Sequence, residues 1–331
     1  MSEIEHVITY KGKTLVTSHM YPLTSCECDV IRQAYYVKPD MHLVYNQLAS
    51  LRKHGNAINH ITEYYVRHLM DKVKLYTPKW TIEEVFECDD LIRYFYSRIM
   101  ASDKVYPKTS TVIDNIKTAL RLSGGGVDMK PSNFPIKTVD EVLMDYNLND
   151  RYYDFSCGWG VRMMSAMRNN VSYFGTEPND LLVEQLKRIH HDYNRVNHTS
   201  AKIDIRCTGS EVFHPEWENT MGVCFSSPPY FNLEDYKIGQ QSITNFPTYD
   251  EWLDGFMSAT VDNCRRYLID GGHLLINIKN YSIYKLYDDT HKICESFGLK
   301  YIRTLELNNI TRPSAKSDLN TDESIMVYKK I

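Results

Sequence analysis

From about residue 150 onward the chain alternates short β-rich runs with longer helical ones, and that alternation leaves little choice of architecture. YYDF (152–155) leads through a turn to the helical run VRMMSAMRN, and SYFGTE (172–177) leads to DLLVEQLKRIHHDYN. AKIDIRC (201–207) and MGVCFS (221–226) follow, then a helix predicted from about Tyr249 to Leu268, with Thr248 as its N-cap and Gly271-Gly272 as its end. HLLINIKN (273–280), a helix near 284–297, YIRTLELN (301–308) and SIMVYKK (324–330) complete the series. Strands alternating with helices form a mostly parallel sheet with helices on both faces, because each parallel connection must cross over. The predicted fold class is α/β and Rossmann-like. Ligands on such sheets bind beyond the carboxyl ends of the strands, so function is to be sought in the strand-end loops.

The alternation begins after a break. Ser123-Gly124-Gly125-Gly126, followed by Pro131 and Pro135, is too flexible and too interrupted for the interior of an element. It divides an accessory region, 1–122, from a catalytic region, 123–331. The accessory region reads as mostly helical, with apolar residues three and four apart at Leu43, Leu48, Leu51, Ile58, Ile61, Tyr65 and Leu69, interrupted near Gly55. Thr81 with Glu84 three residues on is a capping-box signature for a second helix, and 102–122 reads as a third.

The 331 residues contain no apolar run near the ~20 needed to cross a bilayer. The N-terminal MSEIEHVITYKGK lacks the basic-then-apolar pattern of a signal peptide, so a cytoplasmic protein is expected. Eight scattered cysteines fit that compartment; Cys26 and Cys28 are the one close pair and read as structural thiols, and no metal site is expected. The formal net charge is −4, mildly positive before residue 130 and negative after it, which neither requires nor forbids a basic groove. The 25 tyrosines read first as core, with base stacking as the alternative.

The first strand-end loop is Asp154-Phe155-Ser156-Cys157-Gly158-Trp159-Gly160. Its glycines allow a tight turn and a close approach of backbone to a ligand. Glu177 ends the next strand at the spacing where an acid reaches ribose hydroxyls. A glycine turn with a strand-end acid occurs in many α/β folds and by itself leaves a nucleoside site open. The loop has neither the three-glycine dinucleotide form nor a Gly-Lys-Ser/Thr phosphate cradle, so a phosphate-free adenosyl ligand suits it better. The fourth strand ends in Ser226-Ser227-Pro228-Pro229-Tyr230. Two prolines make a stiff turn, Ser227 adds a short acceptor and Tyr230 a flat face. Transfer to a planar amino group needs that set. The nitrogen lone pair is delocalised, acceptors around its hydrogens favour a more tetrahedral nitrogen, and an aromatic face holds the planar substrate. The competing reading is a rigid proline turn capping a buried strand.

The loop 154–160 resembles the first motif of class I methyltransferases, D/E-x-x-x-G-x-G. The stretch SSPPYFNLEDY resembles the T/S-S-P-P-Y-x-x-x-x-x-Y of DNA amino-methyltransferases, the N4-cytosine enzymes especially. Lys130-Pro131-Ser132-Asn133-Phe134-Pro135 resembles that family's N-terminal cofactor motif, and Glu323 to Lys329 its closing strand. The resemblance covers about 130–331. It implies S-adenosylmethionine as cofactor, bound by Asn133, Phe134, Asp154, Phe155, Ser156, Cys157, Gly158, Gly160, Glu177 and Ser210, with Cys157 also reading as packing. It implies that Ser227 and the Pro228 carbonyl accept hydrogen bonds from the target amine, that Pro229 completes the turn, and that Tyr230 stacks on a flipped DNA base.

The implied activity is methyl transfer to an exocyclic amine of DNA, cytosine N4 before adenine N6, as in restriction-modification or phage DNA modification. RNA guanine N2 or a protein amide would use the same chemistry, and a methyltransferase-like fold without turnover would be a binding module. The chain has no Pro-Cys dipeptide, so the cysteine chemistry of C5-cytosine methylases is not expected. The gaps between motifs are too short for a target-recognition domain. Recognition would fall to 1–122, to the loop near 308–323 with Arg312 and Lys316, to a homodimer partner or to a separate subunit.

Overall fold

The structure, a computed structural model, describes residues 5–18, 20–75, 79–100, 131, 133–280, 282–306 and 324–331. The helix predicted at 102–122, the glycine break and the loop with Arg312 and Lys316 lie outside the described residues. The chain forms two compact units.

The first unit holds residues 5–39, 67–100, 131 and 235–237 of the described chain. It opens with a hairpin of β1 (His6–Tyr10) and β2 (Lys13–Thr17), strands that the mostly helical reading of 1–122 did not single out. Lys11 and Gly12 turn the chain with φ of 48° and 71°, the positive pair that a two-residue hairpin turn matching strand twist requires. The helices Ser25–Tyr36 and Ile82–Phe86 begin at Thr24 and Thr81, and each threonine forms a capping box with the glutamate three residues on. A third helix spans Asp89–Met100, and a two-residue strand, β3, spans Lys74–Leu75. Ile8, Cys28, Ile31, Tyr35, Trp80 and Phe86 share the core of this unit. Cys28 is buried there while Cys26 is exposed, so the C-x-C pair faces two ways.

The second unit holds residues 40–66, 133–234 and 238–331 of the described chain. This departs from a division at 122/123. Residues 40–66 group with the sheet because the helices Met41–Arg52 and Asn59–Tyr65 pack on the long helix Asp180–Asn197. Asn197 Nδ2 donates to the Leu48 carbonyl at 3.1 Å, Arg168 Nη1 to that of Gly55 at 2.7 Å, and the Tyr65 hydroxyl to Asp192. An amphipathic stripe shows that a helix is covered, and says nothing of which partner covers it.

In chain order the strands continue as β4 (Arg151–Asp154), β5 (Ser172–Thr176), β6 (Ile203–Arg206), β7 (Met221–Ser226), the two-residue β8 (Glu234–Asp235) where the chain passes from the second unit to residues of the first, β9 (Leu268–Ile278), β10 (Lys300–Glu306) and β11 (Ser324–Lys329). All but β8 form one seven-stranded sheet in the order β10-β11-β9-β7-β4-β5-β6. The pairs from β6 through β9 are parallel, and β11 runs antiparallel to both its neighbours. Successive residues point to opposite faces. Tyr153 joins a core with Trp217, Trp252 and Tyr267, while Tyr152 meets Tyr173 and Phe225. The expected α/β, Rossmann-like sheet with helices packed on it is therefore what the chain forms. Its order reverses at β4, whose neighbours β5 and β7 lie on opposite sides, and this switch point sets the β4 and β7 tips side by side. Among the described residues no helix is long and apolar enough to cross a membrane.

Candidate cofactor and catalytic site

At the β4 tip the Asp154 carboxylate is fully buried. It accepts from Arg162 Nε and the Tyr173 hydroxyl, each at 2.9 Å, and from the Ser156 N–H at 3.3 Å. Arg162 also donates to the Ser156 carbonyl, so carboxylate and guanidinium together brace the loop from below. Gly158 and Gly160 have φ of 55° and 84°, and a Cβ on Gly160 would lie 2.6 Å from Leu186 Cδ2. Only glycine lets the helix Val161–Arg168 start there. Phe155 packs into the core, and Cys157 is buried with its N–H on the Thr176 carbonyl at 3.2 Å. Burial pushes the Cys157 thiol well above its ordinary range, which suits packing and not nucleophilic attack. The Phe134 ring meets Phe225 edge-on at 5.6 Å, and Asn133 Oδ1 is buried without a hydrogen-bond partner.

Glu177, at the β5 tip, is 8 % exposed. Burial pushes its carboxyl up to about 7, while hydrogen bonds from the backbone of Asn179, at 3.1 Å, and of Gly158 pull it back. The folded protein therefore holds this proton more tightly than the unfolded chain. The associated stability is present below about 4.5 and is lost as pH rises through about 7. Thermal melts between those values should show wild-type stability falling relative to Glu177→Gln, and parallel curves would contradict the assignment. At the β6 turn, the Ser210 hydroxyl is buried against Thr260 Oγ1 at 2.7 Å, and its carbonyl accepts from Asn263 Nδ2 at 2.9 Å. Ser210 thus anchors the turn. The neighbouring Glu211 has a buried Oε2 without a partner.

At the β7 tip, Ser226 Oγ donates to the Ser156 carbonyl at 3.3 Å and joins the two loops directly. Ser227 is half-buried, Pro228 buried and Pro229 half-buried. Tyr230, expected to stack its flat face on a base, is 8 % exposed, and its hydroxyl donates to the Asn277 carbonyl at 3.3 Å. Phe231 has φ of 51°, a conformation costly for a bulky residue, and its ring is held among Tyr249, Trp252 and Tyr284. The helix after the loop begins at a Thr248 capping box and contains a π-helical stretch, Trp252–Met257. Further along the loop, a Cβ on Gly239 would lie 3.2 Å from Asn179 Cα, so this segment runs against the β5 tip.

Ser156, Gly158, Glu177, Ser227 and Pro228 thus lie at the carboxyl ends of three neighbouring strands. Arg162, Asn179 and Asn277 are additions that no motif pointed to, while Glu211 belongs to the Gly209-Ser210-Glu211 turn that the resemblance sets near an adenine. The signal for Asn277 was a polar residue inside the apolar run LLINI, and for Arg162 a charge at the start of an apolar helix. Among the described residues no group of three or more His, Cys, Asp or Glu side chains is placed to hold a metal ion.

No protein-family model matches the chain, and no curated protein does. Solved structures that resemble it include the N-methyltransferase NodS from Bradyrhizobium japonicum WM9, at TM-score 0.41 and 9 % identity over 59 % of this chain and 93 % of that one. A putative rRNA-methylase from Clostridium thermocellum resembles it at TM-score 0.41 and 16 % identity, over 61 % and 99 %. An S-adenosylmethionine-dependent O-methyltransferase from Thermotoga maritima does so at TM-score 0.41 and 14 % identity, over 67 % and 72 %.

Proposed function

We propose that the chain transfers a methyl group from S-adenosylmethionine to the exocyclic amine of a DNA base, cytosine N4 in the first place and adenine N6 in the second. The observation that carries this reading is the pair of adjacent parallel strand tips, one bearing the glycine loop and the other Ser227-Pro228-Pro229-Tyr230, joined by the 3.3 Å bond from Ser226 to Ser156. The residues fit the cofactor. The backbone at Gly158 and Gly160 turns tightly enough to wrap the methionine part, and the Glu177 carboxyl suits a ribose diol. Asn133 Oδ1 and Glu211 Oε2 are buried acceptors without partners, as groups awaiting a polar ligand should be.

When bound, the cofactor supplies a methyl group on a sulfonium, an electrophile that needs no further activation. The chain's own residues then have to prepare the nitrogen. Ser227 Oγ and the Pro228 carbonyl accept the amine hydrogens and favour a nitrogen with a usable lone pair. The two prolines keep those acceptors from retreating. Tyr230, tethered to β9 through its hydroxyl, holds the flipped base by its ring. Target recognition falls to residues 1–122, to the loop near 308–323 or to a partner.

The test is incubation of the full chain with radiolabelled S-adenosylmethionine and mixed-sequence DNA, followed by nucleoside mass spectrometry. N4-methylcytosine or N6-methyladenine is expected. Label found in RNA or protein alone would overturn the DNA assignment, and cofactor binding without any transfer would make the chain a binding module.

A further inference from the structure

β9 lies beside β7, with Ile276 paired to Ser226, so the next residue, Asn277, stands beside Ser227. Leu274, Leu275, Ile276 and Ile278 around it are all buried, and Asn277 itself is 2 % exposed. A carboxamide in such a strand is unfavourable unless both its ends are used. One end is: Nδ2 donates to Ser227 Oγ at 3.3 Å and reaches the Tyr230 hydroxyl at 3.4 Å. The other is not, for Oδ1 is buried without a partner. It shares the plane of the amide whose nitrogen holds Ser227, so the free acceptor sits at the same strand tip.

We propose that Asn277 is the positioning residue of the transfer site. Its Nδ2 holds Ser227 in place, and its Oδ1 shares one N–H of the target –NH2 with Ser227 Oγ in a three-centre bond while the Pro228 carbonyl takes the other, so the site selects a primary amine and stops after one methyl. This rests on the amine-methylation reading above. In the transfer, the nitrogen lone pair forms the N–C bond and the electron pair of the S–C bond stays on sulfur, leaving a neutral thioether. The cationic nitrogen then releases one proton to solvent water. The product keeps a single N–H, which cannot serve acceptors on both sides, so a second methylation is disfavoured.

Asn277→Val suits a buried strand position and removes the unsatisfied group, so it should fold at least as well as wild type; Asn277→Ala is the second variant. Both are compared with wild type by thermal melt, by calorimetry with S-adenosylhomocysteine, and by steady-state transfer to DNA and to the same duplex premethylated on the target amine. Melting, cofactor affinity and KM for DNA should stay close to wild type, while kcat falls on the order of 30-fold. Dimethylated nucleoside should form a larger share of the variants' product than of the wild type's. A kcat within about threefold of wild type, with an unchanged product ratio, would reduce Asn277 to a structural residue and overturn this inference alone. Wild-type protein that binds the cofactor yet methylates no DNA amine would overturn the substrate reading and this assignment together.

Discussion

Asp154→Ala is expected to destabilise the second unit by about 3–5 kcal/mol, because it strands a buried guanidinium. Asp154 and Arg162 have side chains 0 % and 8 % exposed and lie 2.9 Å apart. Removing the carboxylate also leaves the Tyr173 hydroxyl and the Ser156 N–H without their acceptor. The loss is thus one of an interior charge pair and of the hydrogen bonds that shape the glycine loop, and cofactor affinity should fall with it. Arg162→Met in the same chain should recover part of the stability, since no uncompensated charge then remains. Urea denaturation of the two single variants and the double variant measures the coupling. A single-variant loss under about 1 kcal/mol, or strict additivity, would show that the pair does not brace the loop.

Ser227→Ala should act in the opposite sense, on rate and not on fold. The side chain is half-buried, and its loss removes one long hydrogen bond, worth about 1 kcal/mol or less. Removing an acceptor that engages the amine as its nitrogen changes geometry should slow transfer by roughly 10²–10³-fold, the scale found when a positioned polar group is deleted from a reacting centre. Calorimetry with S-adenosylhomocysteine should show affinity unchanged, because the cofactor loop belongs to β4. Single-turnover transfer to DNA gives the rate. A Ser227→Ala protein transferring methyl at more than a tenth of the wild-type rate would mean that Ser227 is only part of a rigid turn.

The sheet was legible because its alternation of strand and helix spans the whole second half of the chain, and the two strand-end loops carry unusual local chemistry. What escaped the sequence was contact across distance. The hairpin at β1 and β2 hides behind a Lys-Gly turn, less conspicuous than Asn-Gly, and its alternation covers only five residues a side. The packing of Met41–Tyr65 against Asp180–Asn197 has no local signature, since the apolar faces would look the same on any partner. Asn277 belongs to a strand whose buried residues read as core, and only its pairing to β7 sets it beside Ser227. Glycine at 175 likewise looks incidental until a Cβ there is seen to fall 2.4 Å from Cys157 Sγ. For Tyr230 and Ser210 the residue was visible but its surroundings were not: each spends its hydroxyl within the fold.

Because residues 40–66 belong to the second unit while 67–100 do not, the sheet-bearing body is discontinuous along the chain. On the ribosome, Leu48 and Tyr65 emerge well over a hundred residues before Asn197 and Asp192, the groups they meet. At about 5–20 residues per second that is a wait on the order of ten seconds with an apolar face uncovered. The core of the first unit, drawn from residues between Ile8 and Phe95, can close in the meantime. The second must be assembled from ends that arrive separately, so its completion is a late event of synthesis.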